Sequence, residues 1–223
     1  MWHLTERPVF RDRDEAGRRL AERLAHYKGT DAILLAIPRG GVQVAFPISR
    51  TLDLPLDVLV VRKLPIPWSP EMGMGAVTAE GETILEEGVL ERLGMSPEGA
   101  LLVAEKVRLE VQRRERLYRG GHPSPQLRGR VAILVDDGLA TGFTMLAAIR
   151  SVRKQGPRKV VVAVPTASAA AVEKVRPEAD ELVALVVASG PIYAVADYYE
   201  RWYDLTDEEI LALLGTGKAA ARG

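Results

Sequence analysis

The 223-residue sequence contains no cysteine. This excludes disulfides, thiolate nucleophiles and cysteine-held zinc or iron–sulfur centres, and it fits a cytoplasmic protein. Histidine is scarce: His3, His26 and His122 lie far apart, without the spacing of a transition-metal site. Neither sign of charge is in excess, with 30 basic and 30 acidic residues. No global positive field exists to hold a nucleic acid, so any anion site has to be local. Long hydrophobic runs are also missing. The longest uncharged stretches, Val160–Val172 and Leu182–Ala196, are broken by proline and fall short of the ~20 apolar residues that span a bilayer. The N-terminus, Met1-Trp2-His3-Leu4-Thr5-Glu6-Arg7, lacks the basic-then-apolar form of a signal peptide. Aromatic residues make up only 5% of the chain. They are unevenly spread, with Tyr193, Tyr198, Tyr199, Trp202 and Tyr203 gathered near the end.

What remains is the apolar and charged balance of a globular protein with an alternating strand and helix rhythm. Asp12 to Tyr27 reads as an amphipathic helix through Ala16, Leu20 and Leu24. Ile33–Ile37 is a short apolar run suited to a buried strand, broken by Pro38-Arg39-Gly40-Gly41. Helical spacing returns from Val42 to Leu52, and Asp57–Val61 forms a second strand ending in Arg62-Lys63. This β-loop-α-β unit favours parallel pairing.

The proline- and glycine-rich stretch Leu64–Gly75 reads as loop, with Trp68, Met72 and Met74 as packing residues or, alternatively, part of a lid. Gly75–Thr78 and Glu82–Glu86 read as a small hairpin, and Pro97 to about Arg119 as a long charged helix. The α/β rhythm then resumes with strands at Val131–Val135, Lys159–Val164 and Glu181–Val187, and helices from Phe143 to about Lys154 and at Ser168–Val175. A capped final helix ends near Leu214. The fold expected is α/β: a five-stranded, mostly parallel sheet flanked by helices, plus a small hood and C-terminal subdomain. Residues 1–187 form the core, with 64–130 as its variable region, and 188–223 form the C-terminal part.

One segment carries chemistry. The apolar strand Ile133-Leu134-Val135 delivers two adjacent carboxylates, Asp136 and Asp137, to its C-terminal end, where open α/β sheets bind ligands. Two adjacent acids repel and lose solvation when buried, so they need hydroxyl donors or a cation. A sugar diol with bound Mg²⁺ supplies both. The turn Gly138-Leu139-Ala140-Thr141-Gly142 and the helix opening at Phe143-Thr144 then offer free N–H groups to a phosphate.

This segment resembles the phosphoribosyl-diphosphate signature of type I phosphoribosyltransferases: apolar run, two acids, then Thr-Gly-x-Thr. The resemblance implies that Asp136 and Asp137 bind the ribose hydroxyls and, indirectly through them or through water, a Mg²⁺ ion. Gly138 to Thr144 would wrap the 5-phosphate. Pro38-Arg39-Gly40-Gly41 resembles the family's pyrophosphate loop, which often contains a non-proline cis peptide, here the Pro38–Arg39 bond. Arg62 and Lys63 stand where the family places a basic residue facing the diphosphate. Arg39 and Lys63 are thus the implied catalytic residues, with Arg39, Gly40, Gly41, Arg62 and Lys63 binding pyrophosphate.

The basic run Lys106 to Arg119, with Lys106, Arg108 and Arg113, is the candidate for the family's closing loop. A solvated helix with glutamate–arginine pairs is the plainer reading of it. Tyr193, Tyr198 and Trp202 are candidates for stacking on a heterocyclic acceptor, against the plainer reading that they fill a small core. Ala140 stands where the 6-oxopurine transferases carry an acid–base Asp, so that acceptor route is not implied. The strings Phe10-Arg11-Asp12-Arg13 and Tyr199-Glu200-Arg201-Trp202 resemble a bacterial group of phosphoribosyltransferases of undefined acceptor. The implied partners are phosphoribosyl diphosphate and a small base-like acceptor, with no nucleic acid or membrane, and a homodimer is compatible. The alternative is a regulator of the same fold that senses phosphoribosyl diphosphate or a nucleotide without turnover.

Overall fold

The computed structural model describes residues 9–66, 69–190 and 192–220. The expectations for the first seven residues and for Trp68 lie outside them. The chain opens with helix α1 (Arg13–Arg23). Asp12 caps it by accepting a 2.9 Å hydrogen bond from the Glu15 N–H, a contact that typically contributes ~1 kcal/mol. Strand β1 (Ile33–Ala36), helix α2 (Gly40–Leu52) and strand β2 (Leu56–Val58) follow.

The predicted second strand divides here. β2 stops at Val58, and Val61 begins a separate strand, β3 (Val61–Ile66). This strand pairs antiparallel with β4 (Ser69–Thr78), which pairs in turn with β5 (Thr83–Leu85). The stretch Leu64–Gly75 is therefore largely strand rather than loop. Leu64, Ile66 and Met74 are buried, and their apolar side chains favour an ordered sheet despite the punctuating residues. Register shifts on both sides of Pro65 absorb the proline, which has no N–H for the ladder. The hairpin expected around Ala79-Glu80-Gly81 is present as the β4–β5 pair.

Helix α3 (Glu87–Leu93) and the long helix α4 (Pro97–Arg119) complete the middle region. β6 (Val131–Val135), α5 (Phe143–Arg153), β7 (Lys159–Ser168), α6 (Ala169–Val175), β8 (Glu181–Ala188) and α7 (Asp207–Ala220) follow. The main sheet is five-stranded in the order β2-β1-β6-β7-β8, and each neighbouring pair is parallel.

The central strands β1, β6 and β7 are buried on both faces, as their continuous apolar runs require, while the edge strand β8 is half-buried. Side chains alternate between two cores. Leu34, Ala36, Ile133 and Val135 face α1, α2 and α7. Ile33, Leu35, Ala132 and Leu134 face α5 and α6. Leu205, Ile210 and Leu214 from the C-terminal segment join the first of these cores. Among the described residues, no helix is long and apolar enough to cross a membrane.

The strand order creates one special position. From β1 the chain moves outward to β2, whereas from β6 it moves the other way to β7 and β8. The loops after β1 and β6 thus leave adjacent strands in opposite directions and open a crevice between them. In open α/β sheets, such a switch point is where ligands bind.

Candidate active site

Both sequence-predicted loops lie at this switch point. After β6, the Asp137 N–H donates to Asp136 Oδ1 at 2.8 Å, so the acid pair begins with a tight local turn. The chain then crosses to β7. The Leu139 N–H donates to the Thr166 carbonyl, and the Ser168 N–H donates to the Leu139 carbonyl, both at 2.9 Å. Ser168 Oγ donates to the Ala140 carbonyl at 2.7 Å. These three bonds pin the turn without using the N–H groups at the start of α5. Gly142 occupies the cap position of α5 in the left-handed region, at φ 84°, and no side chain caps the helix. The free N–H groups and the positive end of the helix dipole are thus left open to an anion.

A cleft of about 220 Å³ lies over this turn, walled by Asp136, Gly138–Met145, Lys63, Gly73, Gly75 and Glu86. Every predicted 5-phosphate residue, from Gly138 to Thr144, is in that wall. Lys63 reaches it from the hood. Arg62 does not, because successive residues of β3 point to opposite faces, and Arg62 instead pairs with Glu110 of α4. The basic pair expected to act together is therefore split.

The loop after β1 lies beside the acid pair. The Pro38–Arg39 peptide is cis, as the family resemblance implies. Arg39 is exposed. Gly41 packs so closely under the end of β6 that a Cβ there would lie 2.6 Å from the Val135 carbonyl oxygen and 3.0 Å from Asp136 Cα. A Cβ on Gly40 would lie 1.8 Å from Asp137 Oδ2. Only glycine allows this approach.

The two acids have different surroundings. Asp136 faces the cleft, and burial, reinforced by the neighbouring Asp137, pushes its carboxyl well above the usual carboxylate range. Burial also raises Asp137, but Arg13 opposes the shift. Arg13 Nε donates to Asp137 Oδ2 at 2.9 Å, and this arginine is only 4% exposed. Tyr199 Oη donates to the Asp137 carbonyl at 2.7 Å. Neither Arg13 nor Tyr199 stands out as a site residue in the sequence, although both belong to the terminal strings that carry the resemblance.

Of the aromatic candidates, Tyr193 donates to Thr166 Oγ1 at 3.2 Å, and its ring lies 5.4 Å from that of Tyr198. Val195, between them, lies against Gly138. Burial raises the Tyr193 phenol, keeping it a hydrogen-bond donor. Trp202 stacks elsewhere, 5.3 Å from Tyr199 and beneath the Arg13 guanidinium.

The run expected as a closing loop is regular helix, α4. Ser96 caps it, Pro97 begins it, Arg108–Glu105 and Arg114–Glu110 pair on its outer side, and Arg119–Glu115 forms a buried pair. Such i,i+3 and i,i+4 pairs support a helix, and the plainer reading of the run is the one observed. Lys106 and Arg113 are exposed on it. None of Lys106, Arg108 and Arg113 lines the cleft.

The phosphoribosyl transferase domain model matches residues 12–196, most of the chain and all of the cleft. The chain belongs to the phosphoribosyltransferase family. A Mycobacterium tuberculosis protein bearing the name "Putative phosphoribosyl transferase" is 40% identical over 206 residues, covering 92% of this chain. This phosphoribosyltransferase-family chain spans about half the length of that relative, 46%. The crystal structure of TT1426 from Thermus thermophilus is 42% identical, with a TM-score of 0.75 over 92% of this chain and 97% of that one.

Proposed function

We propose that the chain transfers the 5-phosphoribosyl group of phosphoribosyl diphosphate to a nitrogen of a base-like acceptor, releasing pyrophosphate. The observation that carries this reading is the cleft at the switch point. It places the Asp136 carboxyl, the uncapped N-terminus of α5 and the Lys63 ammonium around a space of ribose-phosphate size.

The 5-phosphate would sit on the N–H groups of Gly142–Thr144, with Thr141 and Thr144 hydroxyls as further donors. The ribose hydroxyls would donate to Asp136 and Asp137 and so offset the cost of burying the two acids. During transfer, the bond from the anomeric carbon to the pyrophosphate oxygen breaks and its electron pair leaves with pyrophosphate. A bond to the acceptor nitrogen forms, and the proton of that nitrogen passes to the released pyrophosphate or to water. Negative charge grows on the leaving group, next to Lys63 and the loop carrying Arg39, Gly40 and Gly41, which would stabilise it electrostatically. The chain would thus work by positioning and charge.

The described residues contain no cluster of three or more metal-ligating side chains. Mg²⁺ is commonly held through substrate phosphates with one or two carboxylates rather than in a protein cage. The ion, when bound, would neutralise diphosphate charge, and Asp136 and Asp137 would be its indirect ligands. Tyr193 and Tyr198, which flank the Val195 that packs on Gly138, would offer an aromatic face to the acceptor.

The deciding experiment is titration calorimetry of phosphoribosyl diphosphate with Mg²⁺ against wild type and Asp136→Asn/Asp137→Asn, followed by a pyrophosphate-release screen over purines, pyrimidines and related bases. Binding that disappears in the folded double mutant, with release for one acceptor class, is expected. Equal affinity in the double mutant would remove the reading. Binding without release for any base would point to a sensor of the same ligand. Chelation by EDTA is expected to weaken binding, and an unchanged affinity would exclude the Mg²⁺ role.

A further inference from the structure

The two terminal strings noted in the sequence, Phe10-Arg11-Asp12-Arg13 and Tyr199-Glu200-Arg201-Trp202, lie side by side. The Phe10 N–H donates to the Tyr198 carbonyl, the Glu200 N–H to the Phe10 carbonyl, and the Arg201 N–H to the Arg11 carbonyl, each at 2.9 Å. The Phe10 and Tyr199 rings pack 5.5 Å apart. This paired ribbon meets the acid pair at Asp137, whose carboxylate and carbonyl both accept hydrogen bonds from it.

Arg13 projects from the ribbon into the gap. Its Nε donates to Asp137 Oδ2 and its Nη1 to the Tyr203 carbonyl, both at 2.9 Å. Its guanidinium carbon lies 3.8 Å from the Trp202 ring centroid and 5.9 Å from that of Tyr199. One planar cation therefore meets a carboxylate, a carbonyl and an aromatic face at once. Only arginine has the fork and the flat surface for all three. Asp137 is held at two points, since its carbonyl accepts from Tyr199 Oη. Gly40 of the loop after β1 is seated on the same pair. A Cβ there would fall 1.8 Å from Asp137 Oδ2 and 2.9 Å from Arg13 Nε.

We propose that Arg13 is a positioning residue for the phosphoribosyl site. In this role the paired terminal segments act as a clasp that fixes Asp137 and, through Gly40, the neighbouring anion loop. The inference rests on the cleft being a phosphoribosyl site. Arg13 does not touch the cleft and acts through Asp137. Releasing it frees the Asp137 carboxylate to turn and removes the support beneath Gly40, so two ligand-binding segments shift together.

The test compares Arg13→Met, Arg13→Lys and Arg19→Met by calorimetry with phosphoribosyl diphosphate and Mg²⁺, alongside thermal melts. Arg19 serves as the control, because it binds the same ribbon, stacking on Phe10 and donating to the Val9 carbonyl, without reaching the acids. Arg13→Met is expected to weaken binding by roughly tenfold or more, the range seen when residues that orient ligand-binding groups are removed. Arg13→Lys should recover part of the loss, and Arg19→Met should bind as wild type does even where its melting temperature falls. Wild-type affinity in a folded Arg13→Met would overturn the proposal. Should the wild type itself not bind phosphoribosyl diphosphate, the functional reading fails and the melts decide this one. Arg13→Met, Asp137→Asn and the double mutant would then be compared. A double mutant no less stable than the worse single keeps the Arg13–Asp137 coupling, and fully additive losses overturn it.

Discussion

Asp136 and Asp137 are neighbours in the chain, yet the fold gives them different surroundings. Asp136 faces the cleft and Asp137 faces Arg13. The pair is legible in the sequence because two acids at the end of an apolar strand need an unusual partner. Arg13 is not, because 124 positions separate it from Asp137 and nothing in a helix-capping string marks one arginine as buried. Lys63 is the residue-scale test of the transfer chemistry. It is exposed overall and lines the cleft wall, so Lys63→Met, which keeps the length of the side chain, should fold normally. Its pyrophosphate-release rate should fall by ~10²-fold, the scale of losing one group that stabilises developing charge. Release at the wild-type rate would show that Lys63 does not face the leaving group.

Among the elements, the central strands and helices are readable from apolar runs and four-residue spacing, while the hood is not. Strand β3 hides in a stretch rich in proline and glycine, because its alternation, Leu64 and Ile66, is only two positions deep and Pro65 sits at a register shift. The same alternation decides which member of the Arg62-Lys63 pair reaches the cleft, a distinction that adjacency alone does not reveal. Helix α4 shows the reverse case, where the glutamates interleaved with arginine point to an ion-paired helix and the run is regular helix. The loop after β1 supplies the element-scale test. Gly41→Ala places a methyl against the Val135 carbonyl and Asp136 Cα, both backbone atoms that cannot step aside cheaply. The variant should therefore lose phosphoribosyl-diphosphate binding while circular dichroism and the melt still report the folded sheet. Unaltered binding in Gly41→Ala would show that this close approach is not needed by the site.

At the scale of the molecule, the hood helix is tied to the sheet edge by a buried charge cluster. Arg119 pairs with Asp57 of β2 and with Glu115 of its own helix, and donates to the Val58 carbonyl at 2.9 Å. Burial pushes the Glu115 carboxyl up to about 7, with Glu80 and Asp57 adding to the rise and Arg119 opposing it. A carboxyl with a raised folded-state pKa binds its proton more tightly folded than unfolded. Its contribution is therefore favourable below the ordinary carboxyl range and declines as pH rises toward 7. At ~1.4 kcal/mol for each pH unit, the loss across this window is a few kcal/mol at most. The melting temperature should therefore fall between about pH 5 and about pH 8 more steeply in wild type than in Glu115→Gln, and equal slopes would contradict the assignment. The terminal clasp has a different consequence, one of timing. The Arg13–Tyr203 bond closes over 190 positions, so a growing chain has strands β1 to β8 in hand before the second half of the clasp is synthesised. A nascent chain halted just after β8 would hold a complete sheet and an empty seat behind Asp137. In that order of events, the Arg13 contacts close only after the whole sheet has been made, once Tyr199 to Tyr203 follow β8 out of the ribosome.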